Sequence, residues 1–147
     1  MSVHVKEDIR TRLVDLIEQG VTEFTSVVAT RIRPTSRVPW CSVSTPTMAQ
    51  AAEDNGGWPK RFYDVDVEIV IGVAAVAGYD LLMDDLEAKV TALISAEPTL
   101  GGSVKLISLL SSDDEWDDML DKPAGRLRMV WRALVRVDGR SPQAAIA

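Results

Sequence analysis

The stretch RFYDVDVEIVIGVAA, residues 61–75, constrains the fold more than any other part of the chain. Val65, Val67, Ile69 and Ile71 alternate there with Asp64, Asp66 and Glu68. Successive side chains of a strand point to opposite faces, so a period of two sets the apolar residues on one side and the acids on the other. Such a strand belongs to a sheet with one covered face and one wet face. A second segment obeys the same rule. In GRLRMVWRALVRV (125–137), Leu127, Met129, Trp131, Ala133, Val135 and Val137 share one face, and Arg126, Arg128, Arg132 and Arg136 share the other with Val130 and Leu134. If the two strands are neighbours, Asp64, Asp66 and Glu68 can pair with Arg126, Arg128 and Arg132. The alternative is two solvated faces that never meet.

The remaining segments fill in around these two. Val5, Ile9, Leu13, Leu16 and Ile17 recur at helical spacing, with Glu7 and Asp8 in the first turn and Gly20 beyond the end, which predicts a helix over 5–19. FTSVVATRI (24–32) is rich in β-branched residues and reads as a strand ended by Pro34. PWCSVST (39–45) reads as a shorter strand between two prolines. Residues 46–60, with Gly56-Gly57, Trp58 and Pro59, read as a long loop. Leu82, Met83, Leu86, Val90, Leu93 and Ile94 make the buried stripe of a helix over 79–96, closed by Pro98 and a turn at Gly101-Gly102. VKLISLLS (104–111) is apolar on both faces, as a covered strand is. The order helix, strand, strand, strand, helix, strand, strand predicts an α+β fold: a mostly antiparallel mixed sheet with two main helices packed on one face. One domain is expected over 1–137, with a disordered tail over 138–147.

Composition narrows the function classes. At 147 residues, 46% apolar and 26% charged, the chain suits one globular domain. A net charge of −6 argues against binding nucleic acid by neutralising phosphates. The one cysteine, Cys41, cannot form an intrachain disulfide and fits a reducing compartment. The start, MSVHVKEDIRTRL, has no apolar signal region, and no apolar run approaches the roughly 20 residues of a membrane span. The expectation is a soluble protein, made and folded in a cytoplasm, with no membrane partner.

SSDDEWDDMLDKPAG (111–125) packs six acids into nine positions: Asp113, Asp114, Glu115, Asp117, Asp118 and Asp121. Ser112 and Glu115 fit a capping box, and Trp116, Met119 and Leu120 follow at helical spacing, so the simplest expectation is a short amphipathic helical turn with a solvated acidic side. A divalent cation shared at i, i+4, by Asp113 and Asp117 or by Asp114 and Asp118, is the weaker alternative. An EF-hand starting at Asp113 would need glycine at its sixth position, where Asp118 stands. A catalytic carboxylate pair needs two different environments, and this run is uniformly polar. His4, the one histidine, lies in a terminus expected to fray. Cys41 alternates inward with Val43 and reads as a core residue. No G-x-S-x-G, phosphate-cradling glycine loop or H-E-x-x-H occurs. No catalytic residue and no resident cofactor are expected, which points to a binding or structural protein.

Several stretches together carry a family resemblance. They are IRTRLVDLIEQG followed by TEFTSVVATRIRP, then VPWCSVST before a long loop, then FYDVDVEIVIGVAAVAGYDLLMDDLEAKVTALI with its acid pair Asp84 and Asp85, and finally KPAGRLRMVWRALVRV. Over residues 5–137 this resembles the tail terminator proteins of long-tailed bacteriophages, the lambda minor tail protein U type. The Arg-rich closing strand and the tail after Val137 depart from the family's pattern. The resemblance implies a virion structural protein at the head-proximal end of the tail. It implies a six-membered ring that caps the tail tube, stops its polymerisation and offers the surface for head joining, with DNA only passing through. The implied partners are copies of itself, the tail tube protein and a head–tail connector. Ring contacts are head-to-tail and need two different surfaces. The acids Asp113, Asp114, Asp117 and Asp118 and the arginines Arg126, Arg128, Arg132 and Arg136 are candidates for them, and Trp58 in the long loop is a further contact candidate. The rival readings are a connector or neck protein of the same virion, and a small-molecule-binding α+β domain.

Overall fold

Two strands with alternating faces, β3 (Lys60–Ala74) and β5 (Ala124–Asp138), lie side by side within a five-stranded sheet. The computed structural model describes residues 4–30, 38–50, 60–74, 79–117 and 124–138. β3 and β5 run antiparallel from Lys60 opposite Asp138 to Ala74 opposite Ala124. Their inner faces are the apolar sets expected from the alternation, and all those residues are buried. β2 (Trp40–Gln50) pairs antiparallel with β3, and β4 (Leu106–Asp117) pairs antiparallel with β5. β1 (Ser26–Val28) pairs parallel with β2. The sheet order is therefore β1-β2-β3-β5-β4, mixed and mostly antiparallel.

Both helices cover the same side of the sheet. α1 (Val5–Gly20) buries Val5, Ile9, Leu13 and Ile17, four residues apart on one face. Its first turn is capped by His4, whose Nδ1 accepts the Lys6 N–H at 3.1 Å, so the expected frayed end is a helix cap. α2 (Tyr79–Ala96) buries Met83, Leu86, Val90 and Ile94. Leu93 is partly buried on the flank of this stripe, whereas Leu82, expected in it, stands 37% exposed. Both stripes merge with the inner faces of β2, β3 and β5 in one core. Burying one such aliphatic side chain stabilises the fold by about 1.5–3 kcal/mol. After α2 the chain turns at Gly101 and Gly102, whose φ angles of 68° and 95° lie where glycine is at ease.

Four expectations need correction. Among the described residues, the strand expected over 24–32 is laddered only at Ser26–Val28, where Thr25 N–H and Oγ1 bind the Pro39 carbonyl and seat β1 beside β2. β2 does not stop at Pro46 but runs to Gln50. The register shifts between Ser44 and Thr47, so Pro46 sits at a bulge, where its missing N–H breaks no ladder bond. The acidic segment is not a helical turn: through Asp117 it is strand, with Asp113 opposite Arg128 and Asp117 opposite Ala124. A long ladder offered by β5 outweighs the local capping signal of Ser112 and Glu115, because intrinsic preferences are small beside tertiary pairing. Nor is 104–111 a covered strand. β4 is an edge, with Ile107 buried but Leu106, Leu109 and Leu110 exposed. The tail beyond Asp138, most of the long loop including Trp58, and Asp118 lie outside the described residues.

Candidate functional site

Helices take one face of the sheet, which leaves the charged face as a candidate surface. Ser42, Ser44 and Thr47 of β2, Asp66, Glu68 and Val70 of β3, and Arg126, Arg128 and Val130 of β5 line an open concavity of about 590 Å³ on it. The expected pairing of acidic and basic strands is realised at Arg132 and at Arg128. Arg132 Nε meets Asp66 Oδ1 at 3.0 Å, straight across the ladder, and Arg128 Nη2 meets Glu68 Oε2 at 3.1 Å, along the diagonal. Asp64 lies opposite Leu134 and Arg126 opposite Gly72, so the register does not set these two expected partners directly across from each other. Trp40 closes one end of this face, its ring lying over Gly72, the cross-strand partner.

The acids of β4 divide between the two faces. Asp113 shares the outer face with Arg128, its register partner. Ser112 and Asp114 point to the α2 side, where Ser112 Oγ donates to Glu87 Oε1 at 2.7 Å. Partial burial there, and then the negative charges of Glu87, Asp84, Asp80 and Asp113, push the Asp114 carboxyl above its ordinary pKa. This strand geometry bears on the Asp113 and Asp117 pair, whereas Asp118, the expected partner of Asp114, lies outside the described residues. Neighbouring Asp113 and Asp114 point apart, and Asp113 and Asp117 are about 13 Å apart along an extended strand instead of one helical turn. Among the described residues no three His, Cys, Asp or Glu side chains group as a metal site.

Cys41 is fully buried beside Val43, and burial pushes its thiol up to about 12, so it stays protonated and unreactive. His4 Nδ1 is engaged in the helix cap. What the outer face and the β4 edge can do is recognise: fixed charges of both signs on a rigid sheet.

Sequence reasoning identified the arginine face and its acidic neighbour. It missed Ser42, Ser44 and Thr47, although Ser42 and Ser44 alternate with Cys41 and Val43 and so had to face away from the core. It also missed Asp80, Asp84 and Glu87, which reach Asp114 only through the packing of α2 beside β4.

No family model matches the chain, and no curated protein does. Among solved structures, the chain is similar to one in the virion of a native gene transfer agent particle, at 16% identity and a TM-score of 0.43, over 91% of this chain and 92% of that one. A likeness of that degree identifies neither a family nor a function. No helix among the described residues is long and apolar enough to cross a membrane.

Proposed function

We propose that the chain is a structural protein of a phage-like virion, a terminator that closes the tail tube as a ring and offers the face to which the head is joined. The sequence resemblance over 5–137 motivates the reading. The observation that carries it is the inequality of the two sides of the sheet. On one side the sheet ends in the three-residue parallel strand β1, and on the other in the twelve-residue strand β4 with its acids. A ring joins unlike surfaces of successive subunits, and this domain has unlike surfaces at its opposite edges. Of the arginines considered for the seam, Arg128 and Arg132 already bind Glu68 and Asp66 within the chain. The acids Asp113, Asp114, Asp117 and Asp118 remain candidates for one side of it.

Light scattering with size separation, over a wide concentration range with and without magnesium, tests the reading, with electron microscopy of any large species. A closed ring of about six subunits with a central hole supports it. Assembly only with magnesium would assign a cation to the seam. A chain that neither forms rings alone nor caps purified tail tubes is not a terminator. Asp117→Lys with Asp118→Lys separates the seam from the fold: an intact ring in that variant removes these acids from the contact.

A further inference from the structure

From Ser108 to Asp114 every residue of β4 is exposed, a run that no other described strand of the sheet has. In β3 and β5 one face is buried along the strand, while β4 beyond Ile107 is held mainly by its ladder to β5. β4 is also the edge of the sheet, so its far side carries backbone N–H and C=O groups with no strand beside them. Among the described residues the edge is closed only at its start, where the Ile107 N–H donates to the Pro98 carbonyl at 2.9 Å. Among the described residues it is open from Ser108 to Asp117, a strand of about 33 Å. Edges this long are commonly blunted by charge or bulges. This one has a bulge between Leu109 and Ser111, yet Leu109 and Leu110 are 38% and 49% exposed there. The acids follow: Asp113 on the outer face, and Asp114 on the inner face beside Glu87, Asp84 and Asp80 of α2.

We propose that the open edge of β4 binds an extended segment of another protein as a sixth strand, with apolar residues against Leu109 and Leu110 and Lys or Arg against Asp113 and Asp114. Backbone ladder bonds supply affinity in such strand addition, and alternate side chains supply choice of partner. Charge fixes the sign of that choice. The acids of β4 and α2 repel one another, and a basic strand relieves this on both faces at once. A second copy of β4 would instead bring the same acids to the seam. Among the described residues the one strand with alternating basic side chains, β5, is already paired on both sides. The opposite edge, β1, has three residues and cannot match an opening of this length. The inference does not require the ring: a partner strand on this edge takes Asp113 and Asp114 out of the candidates for the seam between copies, and a monomer is competent to test it.

The probe is a synthetic ten-residue peptide with Val and Thr in one half and consecutive Lys residues in the other, so that Lys stands on both faces. Amide hydrogen exchange of residues 108–117 in the full chain is the readout. Saturating peptide is expected to slow exchange there by about tenfold or more, with little change in α1. The same peptide with Glu for Lys, and a backbone N-methylated form with its charges intact, should give no protection. Asp113→Lys with Asp114→Lys should reverse the preference between the Lys and Glu peptides, and its unchanged exchange in α1 would show that it folds. Equal protection by the N-methylated peptide would reduce the contact to charge attraction and overturn strand addition. So would no protection by any peptide, or protection that grows with protein concentration alone, which would make a second copy the occupant.

Discussion

Gly72 shows how much one missing methyl group can decide. Trp40 lies across the ladder from it, 6% exposed, with its ring in the space that a Cβ at position 72 would occupy. Gly72→Ala forces a buried, rigid ring to move, and overpacking of this kind costs about 1–3 kcal/mol. Urea denaturation should show that loss, and in a Trp40→Leu background the same substitution should cost much less. Asp114 makes the opposite case, a native residue whose charge is held at a cost. Its native pKa is raised above the ordinary value of 3.8 by partial burial and by Glu87, Asp84, Asp80 and Asp113. The native state therefore binds this proton more readily than the unfolded chain does. The stability this contributes is fully present below the unfolded pKa and is lost as pH rises through the native one. At neutral pH the ionised carboxylate is unfavourable, so Asp114→Asn should raise the urea midpoint at pH 7. The gain should vanish toward and below pH 3.8.

At the scale of elements, the β3–β5 pair is held by burial on one face and by charge on the other. The Asp66–Arg132 contact is a partly exposed ion pair, and pairs of this kind couple by about 0.2–1 kcal/mol. Reversing either charge alone should destabilise the domain, and Asp66→Arg with Arg132→Asp should recover most of the loss in a double-mutant cycle. These two strands were legible in the sequence because their alternation is a local record of which side is buried. α1 and α2 were legible for the same reason at a different period. β4 was legible only in its first half, within the strand expected over 104–111; its extension to Asp117 was not, because that length is set by the ladder β5 offers and not by any pattern of its own. Whether a strand is covered or an edge depends on neighbours far away in sequence, which is why Leu106, Leu109 and Leu110 were misplaced inside. The extension of β2 past Pro46 needed a bulge, and a bulge leaves no mark in composition. The arginine face of the candidate surface could be read directly. The α2 acids beside Asp114 could not, since only tertiary packing brings them there.

For the whole molecule, the described core closes at Asp138: Val135 and Val137 are buried, and Lys60 pairs with Asp138 at the end of the central ladder. A chain ending after Asp138 should keep its stability within about 0.5 kcal/mol of the full one. Comparing their thermal and urea midpoints checks the expected boundary between the domain and residues beyond it. If that truncated chain folds but no longer assembles, the residues beyond 138 belong to partner contacts and not to the fold.

The sheet order also sets a timetable for synthesis. β5, the latest of the described strands to be made, is the ladder partner of both β3 and β4. While the ribosome is still adding residues 106–123, β3 has only β2 to pair with and β4 has no ladder partner within the sheet. The central ladder can be complete only after Asp138 has cleared the exit tunnel, so the middle of the sheet is the last part of it to close. Translation that stops anywhere before Ala124 leaves a product without its central seam, in which β3 and β4 each lack the ladder partner that β5 supplies. Such fragments are substrates for chaperones and proteases, so full-length translation becomes a condition for this domain to persist.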